Sequence, residues 1–289
     1  MLVDEHGNPA EEGGLLPTLT ERQEQEAEER TSVTALIVHE AIRKDGDEEL
    51  QRPAAALAWS GLAAGLSMGF SFFAQALLRY YLPDASWRPL VVNLGYPLGF
   101  LIVIIGRQQL FTENTLTAII PLLARRNFAT LTSVLRLWIV VLAANLVGAH
   151  IFAWVMGNTP VLKPELHDSM RQLAINAANV SFGVGVLRGV FAGWLIALVV
   201  WLLAATDSSR VAIIFSLTYV VGLAGLTHIV AGSVDVLFLV VTGARSWLSY
   251  AGGYLLPSLI GNVIGGVSLV SALNHAQVIA GSGVAGGRR

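Results

Sequence analysis

The chain has no cysteine among its 289 residues, which excludes a disulfide, a thiolate metal site and a cysteine nucleophile. Charge is scarce too: 13% of residues are Asp, Glu, Lys or Arg, against 54% hydrophobic, too apolar for an ordinary soluble domain of this length. No nucleophile–base pair, phosphate loop or metal-spaced His/Asp/Glu cluster falls in the apolar runs, so neither an enzyme nor a bound metal or cofactor is expected. The first fifty residues are acidic and lack an apolar core segment, so no signal peptide is expected there. What the chain does have is long apolar stretches. Residues 54–78 and 137–156 carry no charge, and a hydrocarbon core of ~30 Å takes about 20 helical residues to cross. The sequence is that of a membrane protein.

Charge divides the chain. Residues 1–53 hold 14 of the 20 acidic side chains but only 5 of the 18 basic ones, so the remainder is basic. That excess of arginine suits phospholipid headgroups, and nothing in its apolar setting suggests nucleic acid. Three regions follow: an acidic extension over 1–52, a membrane domain over 53–276 and a short tail over 277–289. The first 30 residues or so are too polar for a core. Residues 31–44 place Val33, Leu36, Ile37, Ala41 and Ile42 at helical spacing, which predicts a short amphipathic helix. Six spans are expected at about 54–79, 89–124, 130–156, 180–205, 211–242 and 250–275, with a longer connection near 157–179. Basic residues favour one side (Arg43, Lys44, Arg52, Arg125, Arg126, Arg210, Arg288, Arg289) over the other (Arg79, Arg88, Lys163, Arg171, Arg245). By the positive-inside rule both termini are cytoplasmic in a plasma or inner membrane.

The second and fifth spans are interrupted, by Thr112-Glu113-Asn114-Thr115 and by Thr227-His228 with Gly232-Ser233. Non-helical backbone at membrane depth survives only inside protein or along a wet path, so the breaks point to a pore. The halves repeat: Gly61 and Gly65 match Gly185 and Gly189, and Asn145-Leu-Val-Gly148 matches Asn262-Val-Ile-Gly265. With three spans per half, the second copy must enter from the opposite side. An inverted 3+3 repeat places its site near the pseudo-two-fold axis at the bilayer midplane.

Each break should end one half-helix and begin another, whose free N–H groups favour an anion or an acceptor. Asn114 or Thr115 is expected to cap the first restart and Ser233 the second. His228 stands out, because an ionisable group inside a span is costly and its imidazole can donate, accept or pass a proton. Asn145 and Asn262 are placed to turn their amides onto the broken loops.

These stretches carry a resemblance. Leu110-Phe111-Thr112-x-Asn114-Thr115-Leu116, Arg188-Gly189-Val-Phe-Ala-Gly193-Trp194-Leu195 with Trp201, His228-x-x-Ala231, and Gly261-Asn262-Val-Ile-Gly265-Gly266 together resemble the formate/nitrite transporter family, in order, over residues 54–275. The resemblance implies an all-α, six-helix, aquaporin-like protomer, a homopentamer with one pore per protomer, and passage of small monovalent anions such as formate or nitrite across a lipid bilayer. It makes Thr112 the threonine of the first loop, His228 the central, gating histidine and Asn262 the associated asparagine. Asn114 joins this pathway, and Phe111 and Leu110 become an apolar constriction.

The chain also departs from that pattern. Thr227 replaces a glutamate, Gly193 and Gly232 replace asparagines, the vestibule lysine is missing, and Arg107-Gln108-Gln109 and Glu113 flank the first threonine. Glu113 and Asp235 sit near the half-helix starts, where each carboxylate opposes the attraction for an anion, and Arg107 is placed to neutralise Glu113. These changes keep two other readings open: a pore for a neutral solute or neutral weak acid, and a non-transporting membrane protein whose tail binds a partner.

Overall fold

In the computed structural model, residues 34–206 and 208–278 are described, and they are helical. The amino-terminal stretch through Val33 and the tail from 279 lie outside the described residues, so the expectations made for them are not addressed. Helix α1 (Ala35–Gln51) leads to α2 (Ala54–Tyr81). Pro53 separates the two, since it cannot donate to a preceding turn and pushes Arg52 out of helical geometry. Then come α3 (Arg88–Ile105), the pair α4 (Asn114–Thr117) and α5 (Ile119–Arg125), α6 (Phe128–Asn158), α7 (Pro164–Ala178), α8 (Phe182–Ala205), α9 (Arg210–Leu223), α10 (Ala231–Val241) and α11 (Trp247–Val278).

The helices α2, α3, α6, α8 and α11 are each long and apolar enough to cross a membrane. The remaining span is divided between α9 and α10, as the second is between α3 and α4–α5. The six expected spans are therefore present, with the second and fifth broken. Local signals fix their ends. Asn127 begins α6 by accepting from the Thr130 N–H at 2.8 Å, after Arg126 has closed α5 in a left-handed conformation (φ 49°).

Packing follows the repeat: α2 lies along α6, and α8 along α11. Both contacts run through glycine. A Cβ on Gly65 would fall on the Asn145 carbonyl, and one on Gly193 would fall on that of Asn262. Those approaches bring each asparagine within reach of the helix opposite. Helix α11 widens to π geometry at Ala251–Leu255, just before Pro257, which has no N–H to give to the preceding turn.

Two features differ from the sequence expectation. The connection over 157–179 contains α7, whose buried residues Leu166, Met170, Ala174 and Ala178 recur every four positions and pack on α2 and α10. Helix α1 runs on to Gln51 and buries Val38, Ile42 and Leu50, while Leu36 and Ile37 are exposed. Ile42 is common to the expected and the buried stripe, but Val38 is buried in place of Ile37, because α1 docks on the helical domain. An Asp47–Arg125 ion pair (2.7 Å) and the Arg136 guanidinium on the Leu50 carbonyl (2.7 Å) hold it there.

Candidate functional site

The two breaks have the same backbone construction. At the end of α3, Arg107 has φ 51°, and the Gln108 N–H reaches five residues back to the Val103 carbonyl at 2.9 Å. At the end of α9, Gly225 has φ 60°, and the Leu226 N–H reaches the Val221 carbonyl at 3.0 Å. This left-handed helix stop normally carries glycine, so Arg107 adopts a conformation that costs an L-residue about 1–2 kcal/mol.

An asparagine from the third span of each half then clamps each loop. Asn145 donates to the Gly61 and Gln109 carbonyls (2.8 and 2.9 Å) and accepts from the Phe111 N–H (2.9 Å). Asn262 donates to the Gly189 and Thr227 carbonyls (2.9 and 2.8 Å) and accepts from the Ile229 N–H (2.8 Å). Both amides are fully buried, and each satisfies three backbone groups that lipid cannot.

Between the clamped loops, Thr112 Oγ1 and His228 Nε2 lie 2.8 Å apart, both fully buried. His228 Nδ1 accepts from the Ala231 and Val230 N–H groups (3.1 and 3.3 Å), which assigns the ring proton of the neutral imidazole to Nε2, donating to Thr112. The ring thereby caps α10. Thr112 Oγ1 receives that proton, leaving its own O–H to be given onward. Phe100 meets the imidazole edge-on at 5.0 Å, and Tyr254 Oη donates to the His228 carbonyl at 3.1 Å.

A cavity opens on either side. One, about 270 Å³, is lined by Asp45, Glu48 and Glu49 of α1, by Arg107, Gln108, Gln109, Glu113 and Asn114 around the first break, and by Arg210. The other, about 220 Å³, is lined by Tyr96, Arg188, Leu226, Thr227, Gly232, Asp235 and Tyr254. Thr112 and His228 line neither cavity, and stand between the loop residues that line the two.

The remaining sequence candidates divide. Glu113 and Asp235 each line a cavity. Arg107 and Glu113 share the first cavity, yet among the described residues no ion pair joins them. Asn114 faces that cavity while donating to Gln109 Oε1 (3.0 Å). Leu110 and Phe111 are buried and line neither cavity, and the Phe111 ring packs edge-on against Trp138 at 5.6 Å. Asn262 likewise lines neither, its amide being engaged with backbone.

The expected caps differ. Glu113 occupies the cap position of α4 without a side-chain bond, Thr115 Oγ1 turns back to the Thr112 carbonyl (2.7 Å), and Ser233 Oγ bonds the Ile229 carbonyl. Histidine supplied the cap that serine was expected to give. Sequence reasoning missed Phe100, for which no signal existed, and Tyr254, for which one did. A Cβ at Gly232 would fall on the Tyr254 hydroxyl, so the glycine marks the space that the tyrosine fills.

Comparison with known proteins agrees with this architecture. The family model described as formate/nitrite transporter matches residues 37–276, including most of α1. The inner membrane protein YfdC of Escherichia coli (strain K12) is 38% identical over 251 residues, 87% of this chain and 81% of that protein. The formate channel BtFdhC of Bacillus thuringiensis is 25% identical, over 81% of this chain and 91% of that one. Among solved structures, a pentameric formate channel with formate bound aligns with a TM-score of 0.66 at 20% identity, covering 78% of this chain and 98% of that one. An ion channel of the same family aligns at 0.71 and 19% identity, covering 82% and 98%. The Bacillus relative and both solved structures are channels, and the chain belongs to the formate/nitrite transporter family.

Proposed function

We propose that the protein passes a small monovalent anion of the formate or nitrite kind through each protomer of a homopentamer, with Thr112 and His228 as the selective centre. The observation that carries this reading is the buried Thr112–His228 hydrogen bond where two clamped breaks meet, with a cavity on either side. His228 polarises the Thr112 hydroxyl, whose proton is then a strengthened donor for an oxygen of the solute in a fully buried site. Asn262 acts through the shape of its loop, Leu110 and Phe111 through the apolar packing beside it, and Asn114 at the first cavity's floor. Arg107, Glu113 and Asp235 set the charge that the anion meets on either side.

The relatives support the solute class and the fivefold assembly, since one is a formate channel and another a pentameric formate channel with formate bound. The name of the Escherichia coli relative supports an inner-membrane location. The basic bias places the α1 side in the cytoplasm, with both termini there. The division proposed is an acidic extension over 1–52, a membrane domain over 53–276 and a tail over 277–289.

Uptake of labelled formate and nitrite into proteoliposomes tests this reading. Uptake of at least one is expected in the wild type, with at least a tenfold loss in His228→Ala. Uptake of neither removes the solute assignment, and unchanged uptake in the variant removes the histidine.

A further inference from the structure

The α1-side cavity holds two acceptors with nothing to accept. Glu113 Oε1 and Gln108 Oε1 are buried there, and neither has a hydrogen-bond partner. An anion is met by a donor at these oxygens only when the Glu113 carboxyl carries its proton. It also meets the carboxylates of Asp45, Glu48 and Glu49 around the same space, opposed by Arg107 and Arg210. The group that reconciles this cavity with an anion is the Glu113 O–H.

His228 is not placed to supply a mobile proton. Its Nδ1 lone pair is taken by two backbone N–H groups, and its Nε2 proton is committed to Thr112. Glu113 follows Thr112 directly in the chain and is an acid whose buried oxygen is unengaged.

We propose that Glu113 is a proton-exchange residue, handing a proton to a weak-acid anion in the α1-side cavity so that the solute crosses the Thr112–His228 centre as the neutral acid. The proposal rests on the transport reading above. In the exchange, the O–H bond of the Glu113 carboxyl breaks and the proton bonds to an oxygen of the anion, giving the neutral acid and the Glu113 carboxylate. A hydronium ion from the α1-side solution then restores the carboxyl through the open cavity. On the far side the acid releases its proton to water, and the reverse passage runs the same steps backwards. A neutral acid avoids the cost of desolvating a charge at the buried centre.

Equilibrium exchange of labelled formate in proteoliposomes, at equal pH on both sides and corrected for protein-free vesicles, is the test. Wild-type exchange is expected to rise as pH falls, by up to about tenfold per unit, as the protonated fraction of an acid does above its titration range. Glu113→Gln keeps the shape but not the exchangeable acid proton, and should lower exchange about tenfold at pH 6 and flatten the profile. Glu113→Asp should restore the slope. Nitrate, a strong-acid anion of similar size, should exchange at least tenfold more slowly than formate in the wild type. Unchanged rate and slope in Glu113→Gln, or nitrate exchange as fast as formate, would overturn the proposal. Should Glu113→Gln fail to assemble, the Glu113→Asp profile and the wild-type nitrate comparison decide. Absence of wild-type formate exchange at every pH would instead overturn the transport reading, and this proposal with it.

Discussion

Asn145 and Asn262 show how much a single fully buried amide does. Replacing either by alanine strands two carbonyls and one N–H in a fully buried loop, each costing about 1–3 kcal/mol. Asn145→Ala and Asn262→Ala are expected to lower the detergent-solubilised melting temperature by many degrees or to prevent assembly, and an unchanged melting curve would refute the clamp. The opposite outcome is expected at Arg107. Arg107→Gly relieves a left-handed arginine and should stabilise by about 1 kcal/mol, a rise of about 2–4 °C in the melting temperature. These roles differ in how legible they were. The paired asparagines and His228 stood out because polar side chains inside apolar spans need a reason. The capping of α10 by an imidazole nitrogen did not, because cap statistics favour serine and the ring's orientation depends on contacts from Thr112 and Phe100, more than a hundred residues away.

At the scale of elements, α1 is tied to the end of α11. His39 Nε2 lies 2.9 Å from His275 Nδ1, with the two rings stacked at 5.1 Å. Burial holds the His39 imidazole below its usual titration range, the neighbouring His275 and Arg43 reinforce this, and Glu40 opposes it. A group lowered in the folded state stabilises it above the ordinary imidazole range and loses that contribution as pH falls through the lowered value. Attachment of α1 should therefore weaken under acid. Amide hydrogen exchange in α1 is expected to be faster, relative to the intrinsic rate, at pH 5 than at pH 7.5, and His39→Gln should remove the difference. The six spans were readable from length and apolarity alone. Helix α7 was not recognised although its four-residue spacing is plain, because its polar face and low overall hydropathy resemble a connection. The apolar stripe of α1 was placed only in part, Ile42 being right, because the surface it docks on is built by Leu116, Ile120 and Ala197 of α4, α5 and α8, distant in sequence.

At the scale of the molecule, bulky apolar side chains face outward on several helices, among them Trp59, Ile139, Leu187 and Phe191. A lipid bilayer and sister protomers are the surroundings that suit such faces. Native mass spectrometry from mild detergent is expected to read five copies, and a monomer would remove the pentamer from the proposed function. The charge contrast visible in the sequence also acquires a place: three acidic residues of α1 line one mouth of the protomer, so part of the acidic extension borders the route itself.

Each asparagine secures only the loop of its own half, so both loops keep their shape without help from the other. His228 and Thr112 form the stitch across that seam, through one neutral hydrogen bond worth about 1 kcal/mol. The halves also meet where α6 packs on α10 and α3 on α9, and in the Phe72–Phe238 ring contact. Thr112 and His228 are nonetheless separable by the loss of one bond, with both loops still clamped and no helix unwound.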